Sequence, residues 1–263
     1  MTLQALTAVA VVAVALAMLW AARRQSVNGL EVLVNSSLLA LCGSLVVQDG
    51  VYGQGPQTPN APQTLDLAFA EVNDDSALPR VLLIGDSISI GYTLPTRRLL
   101  QGQANVHRIP VNGGPTIVGL EQLDRWIGSG KWNVIHFNWG LHDLKFMEGG
   151  QHQVSIDKYE AHLRDLVGRL KRTGAALIWA STTPVPDAEV TPPRKNSDVI
   201  AYNAAAKRIM EANGIPINDL YAVAFPRLGE IQRPANVHYT DPGSEVLAEG
   251  VAASIRAALD AHR

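Results

Sequence analysis

Apolar and polar positions alternate along this chain in two rhythms, and the two rhythms take turns. Residues 81–84 read Val-Leu-Leu-Ile and stop at Gly85, a short continuous apolar run that predicts a buried parallel strand. Residues 106–111, 134–138, 176–180 and 215–217 predict four more strands. Between them apolar residues recur at helical spacing. Tyr159, Leu163, Leu166, Val167 and Leu170 form one stripe, with Gly174 just beyond. Val199, Tyr202, Ala206, Ile209 and Met210 form another, with Ser197 as the expected cap and Asn213-Gly214 as the stop. Leu247, Val251, Ile255 and Leu259 predict a closing helix, with Asp241 as the expected cap. Strands alternating with helices imply a five-stranded parallel sheet covered on both faces, a three-layer doubly wound αβα fold. In such sheets ligands bind beyond the carboxyl ends of the strands, so the loops there are where chemistry is expected.

The N-terminal part has a different pattern. Residues 5–22 are almost continuously apolar and are followed by Arg23 and Arg24. Residues 38–47 form a second apolar stretch, the length of a signal-peptide core, and Gly53 is a candidate cleavage position. In one reading the first run spans a membrane with the arginines inside, and the second stretch exports the rest of the chain. In another, translation starts downstream and the first run is not made. Both place the main domain outside the cytoplasm, periplasmic or extracellular, with membrane attachment through the N-terminus in the first. A buried core helix is the plain alternative. Leu41 before Cys42 does not suit a lipoprotein signal. Residues 48–79 are rich in Gln, Pro, Gly, Asn and Asp. The expected division is a membrane or signal segment at 1–50, a linker or arm at 51–79 and a compact domain at 80–263.

Composition narrows the function. With 22 basic and 24 acidic residues the formal charge is −2, which argues against a nucleic-acid partner. The single cysteine, Cys42, excludes an intrachain disulfide and a cysteine-based zinc site, and no histidine cluster has metal-ligand spacing. Neither a metal nor an organic cofactor is expected.

Four loops carry candidate chemistry. Gly85-Asp86-Ser87 comes after the first strand, where helix amides favour developing negative charge. Ser87 there is either a nucleophile or an ordinary helix cap. Asn112-Gly113-Gly114 comes after the second strand, where glycine lets a backbone N–H approach a ligand. Gly140-Leu141-His142-Asp143 comes after the third. Asn236-Val237-His238 precedes the last helix.

In this order the segments resemble the SGNH, or GDSL-type, hydrolases over residues 80–261. The resemblance implies a flavodoxin-like αβα fold and cleavage of esters of sugars, lipids or small alcohols. It implies Ser87 as nucleophile and His238 as base, with the N–H groups of Ser87 and Gly114 in the oxyanion hole; Gly113 is the lesser candidate. The family's third block is usually Gly-x-Asn-Asp, so His142 stands where the Asn donor is expected. The last block is usually Asp-x-x-His, yet Ala235 stands three before His238. A Ser–His dyad would then have to orient His238 through a backbone carbonyl or Asn236, with Asp86 and Asp143 as further supporting candidates.

The resulting expectation is a serine esterase for short-chain esters, O-acetyl groups on carbohydrate above all, acting through an acyl-enzyme. A lysophospholipase, lipase or acyltransferase using the same serine is one alternative. A catalytically weak carbohydrate-binding protein is another. The four-proline loop at 182–196 is expected to border the pocket, and Trp139 and Tyr92 either line it or pack in the core. A nucleotide-binding flavodoxin-like domain is excluded by the lack of a glycine-rich phosphate cradle in the first loop.

Overall fold

The computed structural model describes residues 67–262. The expected membrane or signal segments at 5–22 and 38–47 lie outside the described residues. Among those described, no helix is long and apolar enough to cross a membrane.

The elements run in the order β1 (Arg80–Ile84), α1 (Ser87–Leu99), β2 (Asn105–Arg108), α2 (Thr116–Ile127), β3 (Val134–Phe137), α3 (Ile156–Lys171), β4 (Ala176–Ala180), α4 (Asn196–Ala212), β5 (Ile217–Asn218), α5 (Leu220–Ala224), a short 3₁₀ turn (Phe225–Arg227), α6 (Leu228–Ile231) and α7 (Asp241–Ala261). The sheet order is β2-β1-β3-β4-β5, and every pairing is parallel. This is the doubly wound, flavodoxin-like order, whose strand direction of travel reverses between β1 and β3. The crevice at that reversal lies beyond Ile84 and Phe137, the register partners that end the two strands.

The centre of the sheet is apolar because both faces are covered. Val81, Leu82, Leu83 and Ile84 are all at 2% exposure or less, as are Val134, Ile135 and Phe137. Truncating one such leucine to alanine typically costs ~2–5 kcal/mol. Gly119 on α2 has no room for a side chain: an added Cβ would come within 2.9 Å of the Trp139 ring. Trp139 and Tyr92, at 1% and 2% exposure, are core residues.

Local details depart from the sequence pattern for identifiable reasons. β2 ends at Arg108 rather than 111, because Pro110 has no N–H for a ladder. β5 covers only Ile217–Asn218, shifted past Pro216, whose carbonyl still accepts from the Trp179 N–H. α4 starts at Asn196, so Ser197 lies inside its first turn rather than capping it. α7 is capped by Thr240, whose hydroxyl accepts from the Gly243 N–H; Asp241 is the first helical residue.

Residues 67–79 lie along the domain. Arg97 donates to the Leu67 and Ala70 carbonyls, Asn105 bonds the backbone of Asp75 and Leu78, and Ala68 is 1% exposed.

Candidate active site

Ser87 sits where β1 hands over to α1. The cap of α1 is Asp86, not Ser87: the Asp86 carboxylate accepts from the Ile88 N–H at 2.9 Å. Ser87 is therefore released from capping, and its hydroxyl is free for another partner. Its own N–H, one of the unsatisfied donors of a helix start, has no acceptor among the described residues.

That partner is His238, whose Nε2 lies 2.8 Å from Ser87 Oγ. On the far side of the ring, Nδ1 lies 2.7 Å from Asn236 Oδ1. The same Asn236 oxygen accepts from the backbone N–H of His238 at 2.9 Å. A backbone N–H only donates, so the atom facing it must be the amide oxygen. An amide oxygen only accepts, so Nδ1 must carry the imidazole proton. Nε2 is then the unprotonated nitrogen, and the Ser87 O–H donates to it. This is the tautomer a general base requires.

Ala235 occupies the place where the family pattern has its acid. It is exposed, with φ of +48°, in the left-handed region. That turn swings the chain so that Asn236, one residue on, faces His238. The carboxylate's place is thus taken by a neutral amide.

The other expected donors border the same crevice. Gly114 has φ of +58°, and its N–H donates to Asn112 Oδ1 at 3.0 Å. Asn112 is exposed, so a substrate oxygen can replace it on that N–H. The Gly113 N–H is consumed by the Gly85 carbonyl at 3.0 Å, and a Cβ on Gly113 would meet that oxygen at 2.9 Å. Gly113 therefore packs the second loop onto the first, which leaves Gly114 as the available donor. His142 is half-buried on the turn after β3. Burial holds its pKa below the ordinary value, with Asp86 opposing and Arg194, Lys145 and His238 adding to the depression. It is neutral near pH 7 and offers one ring N–H. A protonated His142, the stronger donor, is confined to acid pH.

Asp143 is fully buried and bonds Thr116, with no hydrogen bond to His238. Its Oδ1 accepts from the N–H and hydroxyl of Thr116 at the start of α2, while Oδ2 has no partner among the described residues. Burial pushes its carboxyl up to about 7, against the Thr116 bonds that lower it. Asp143 ties the third loop to α2, and thereby sets the position of His142.

Burial likewise depresses the pKa of His238; Asp86 opposes, and Arg233 and Arg194 add to it. A cleft of about 640 Å³ opens beside Ser87 and His238, walled by Ile88, Ile90 and Leu94 and by Arg233 and Asp241. The loop at 182–196, expected to border the pocket, does not line this cleft; its Arg194 Nε donates to the Leu141 carbonyl, beside His142, at 2.8 Å.

Sequence reasoning missed Arg108. Only 8% exposed, it lies beneath the loop that carries Ser87 and donates to Ser89 Oγ, Thr93 Oγ1 and the carbonyls of Ile109 and Val111. Burial lowers its pKa to about 10, so it keeps its charge. Its one sequence signal is an arginine at the end of a short strand, Asn105-Val106-His107-Arg108. Among the described residues no group of three or more His, Cys, Asp or Glu side chains could hold a metal ion.

A parallel 2-1-3-4-5 sheet with these loops at its carboxyl edge defines an ester hydrolase of the SGNH kind. Solved structures agree on the fold. An acetyl xylan esterase matches at 16% identity over 67% of this chain and 99% of its own, with a TM-score of 0.58. A lipase/acylhydrolase from Enterococcus faecalis matches at 18% over 68% and 96%, TM-score 0.59. Axe2, an acetylxylan esterase from Geobacillus stearothermophilus, matches at 20% over 67% and 94%, TM-score 0.57. No curated protein matches the sequence. Residues 83–246 match the model of the GDSL-like Lipase/Acylhydrolase family, and the chain belongs to that family.

Proposed function

We propose that the protein is a serine esterase that removes short acyl groups, O-acetyl above all, from carbohydrate. The observation that carries this reading is the Ser87–His238–Asn236 chain of hydrogen bonds at 2.8 and 2.7 Å, with its tautomer set by the His238 backbone N–H. His238 Nε2 takes the Ser87 proton as Oγ attacks the ester carbonyl. The imidazolium that forms is stabilised by Asn236 Oδ1. The N–H groups of Ser87 and Gly114 and the ring N–H of His142 hold the oxyanion. His238 then gives its proton to the leaving alcohol, and water repeats the sequence on the acyl-enzyme.

The position of the cleft supports a small acyl group. It includes His238 but neither Gly114 nor His142, so it opens on the side where the alcohol leaves. The bulk of the substrate is then the alcohol, and the volume lies within the range of small-molecule sites. Two structural relatives are acetylxylan esterases by name, which favours the same class. The domain acts outside the cytoplasm, a reading supported by the apolar runs at 5–22 and 38–47. Ile88, Ile90 and Leu94 favour a second reading, a lipase that lays an alkyl chain in the cleft. Hydrolysis of 4-nitrophenyl esters of increasing chain length separates the two. The acetate is expected to be the best substrate, and preference for long chains would overturn the carbohydrate reading.

A further inference from the structure

Arg233 stands in the wall of the cleft that meets Ser87 and His238. Its backbone N–H donates to the His238 carbonyl at 2.9 Å, and its Nε donates to the Tyr239 carbonyl at 3.0 Å. The guanidinium is thereby tied, at both ends of the residue, to the segment that carries the base. Neither of its terminal nitrogens has a hydrogen-bond or ion-pair partner among the described residues. With Nε occupied, the remaining donors form the end-on fork that fits two oxygens of one anion.

The side of the cleft identifies what Arg233 meets. His238 protonates the leaving oxygen, so the group beside His238 is the alcohol part of the ester. We propose that Arg233 binds an oxyanion, a carboxylate or sulfate, on that alcohol, so that the esterase acts on acylated acidic sugars. This rests on the esterase reading above and names its substrate class. Ile88, Ile90 and Leu94 offer an apolar wall for the carbon face of a ring, and Arg233 supplies the charge at its rim. Asp241 is the carboxylate in the same wall. It lies beyond ion-pair distance of Arg233 and at the first turn of α7, where helix amides offset its charge. Arg194, held on the Leu141 carbonyl, adds positive charge that is felt at His238. Both guanidiniums reinforce the depression that burial imposes on His238.

The test compares matched substrates that differ only in charge. One arm is an O-acetylated oligogalacturonide against its methyl-esterified form with the same acetyl pattern. The other is a sulfated acetyl glucoside against its unsulfated parent. The wild-type protein is expected to favour the anionic member of at least one pair by about 10- to 100-fold in kcat/KM, the range of a charge-assisted hydrogen bond. The arm that shows the preference names the oxyanion. R233Q is expected to abolish it, R233K to keep part of it, and about 0.5 M NaCl to weaken it. Equal rates within both pairs, or a preference that survives R233Q, overturns the role of Arg233. 4-Nitrophenyl acetate, run in parallel, reports on the chemistry alone. If the wild-type protein hydrolyses neither it nor any acetate, the esterase reading itself falls.

Discussion

In the proposed mechanism Asn236 stands in for a triad acid, and Asn236→Ala removes it. Asn236 Oδ1 holds His238 twice, by the backbone N–H at 2.9 Å and by Nδ1 at 2.7 Å. The bond to Nδ1 is neutral in the resting state and becomes charge-assisted when His238 takes the Ser87 proton. A hydrogen bond to a charged group contributes ~1.5–3 kcal/mol, so its loss is expected to lower kcat by about 10- to 150-fold. The substrate does not touch Asn236, so KM should change little. Asn236→Asp keeps both acceptors and adds a negative charge beside the ring. The two variants should move the acid limb of the pH–rate profile in opposite directions. Alanine withdraws support from the imidazolium and shifts the limb to lower pH. Aspartate favours the imidazolium and shifts it to higher pH. The assay is steady-state hydrolysis of 4-nitrophenyl acetate across pH. Unchanged kcat and an unmoved limb in Asn236→Ala would refute the assignment, because a loop residue with no electrostatic link to His238 cannot produce opposed shifts.

The same geometry sets three further outcomes. In the proposed mechanism His238 acts as a base in its neutral form, and burial depresses its pKa, so activity should persist below the ordinary 6.5 and fall only at more acid pH. An acid limb at or above 6.5 would contradict this. His142→Ala removes one oxyanion donor and is expected to cost about 100- to 1,000-fold in kcat, whereas His142→Asn should restore part of the loss. Asp143 has its carboxyl raised from 3.8 to about 7 in the fold, so its stabilising contribution is full below 3.8 and is lost as pH rises through about 7. The total is on the order of 4 kcal/mol. The melting temperature of the wild-type protein should therefore fall relative to Asp143→Asn between these pH values, and parallel curves would count against it.

The parts of this protein legible in its sequence are those where one local pattern meets one global demand. The run at 81–84, too short for a helix, reads as a strand covered on both faces, and Gly85-Asp86-Ser87 after it reads as a turn into a helix at the sheet edge. The place of His238 before the last helix comes from the same topology. What stayed hidden depends on single bonds. Whether Asp86 or Ser87 caps α1 is decided by which side chain reaches the Ile88 N–H, and both residue types cap well. The orientation of Asn236 depends on the left-handed turn at Ala235, a conformation that alanine does not advertise. Arg108 and Arg233 resemble ordinary charged residues in sequence. Their roles come from partners that the fold brings near, Gly85, Ser89 and Thr93 for one and the Tyr239 carbonyl for the other.

The central claim is that Ser87 is a nucleophile activated by His238. Intact-mass measurement after treatment with a fluorophosphonate tests it directly. The wild-type protein should gain one phosphonyl adduct that maps to Ser87, and His238→Ala should gain it far more slowly. An unlabelled wild-type protein, or an equal adduct on Ser87→Ala, would contradict the account.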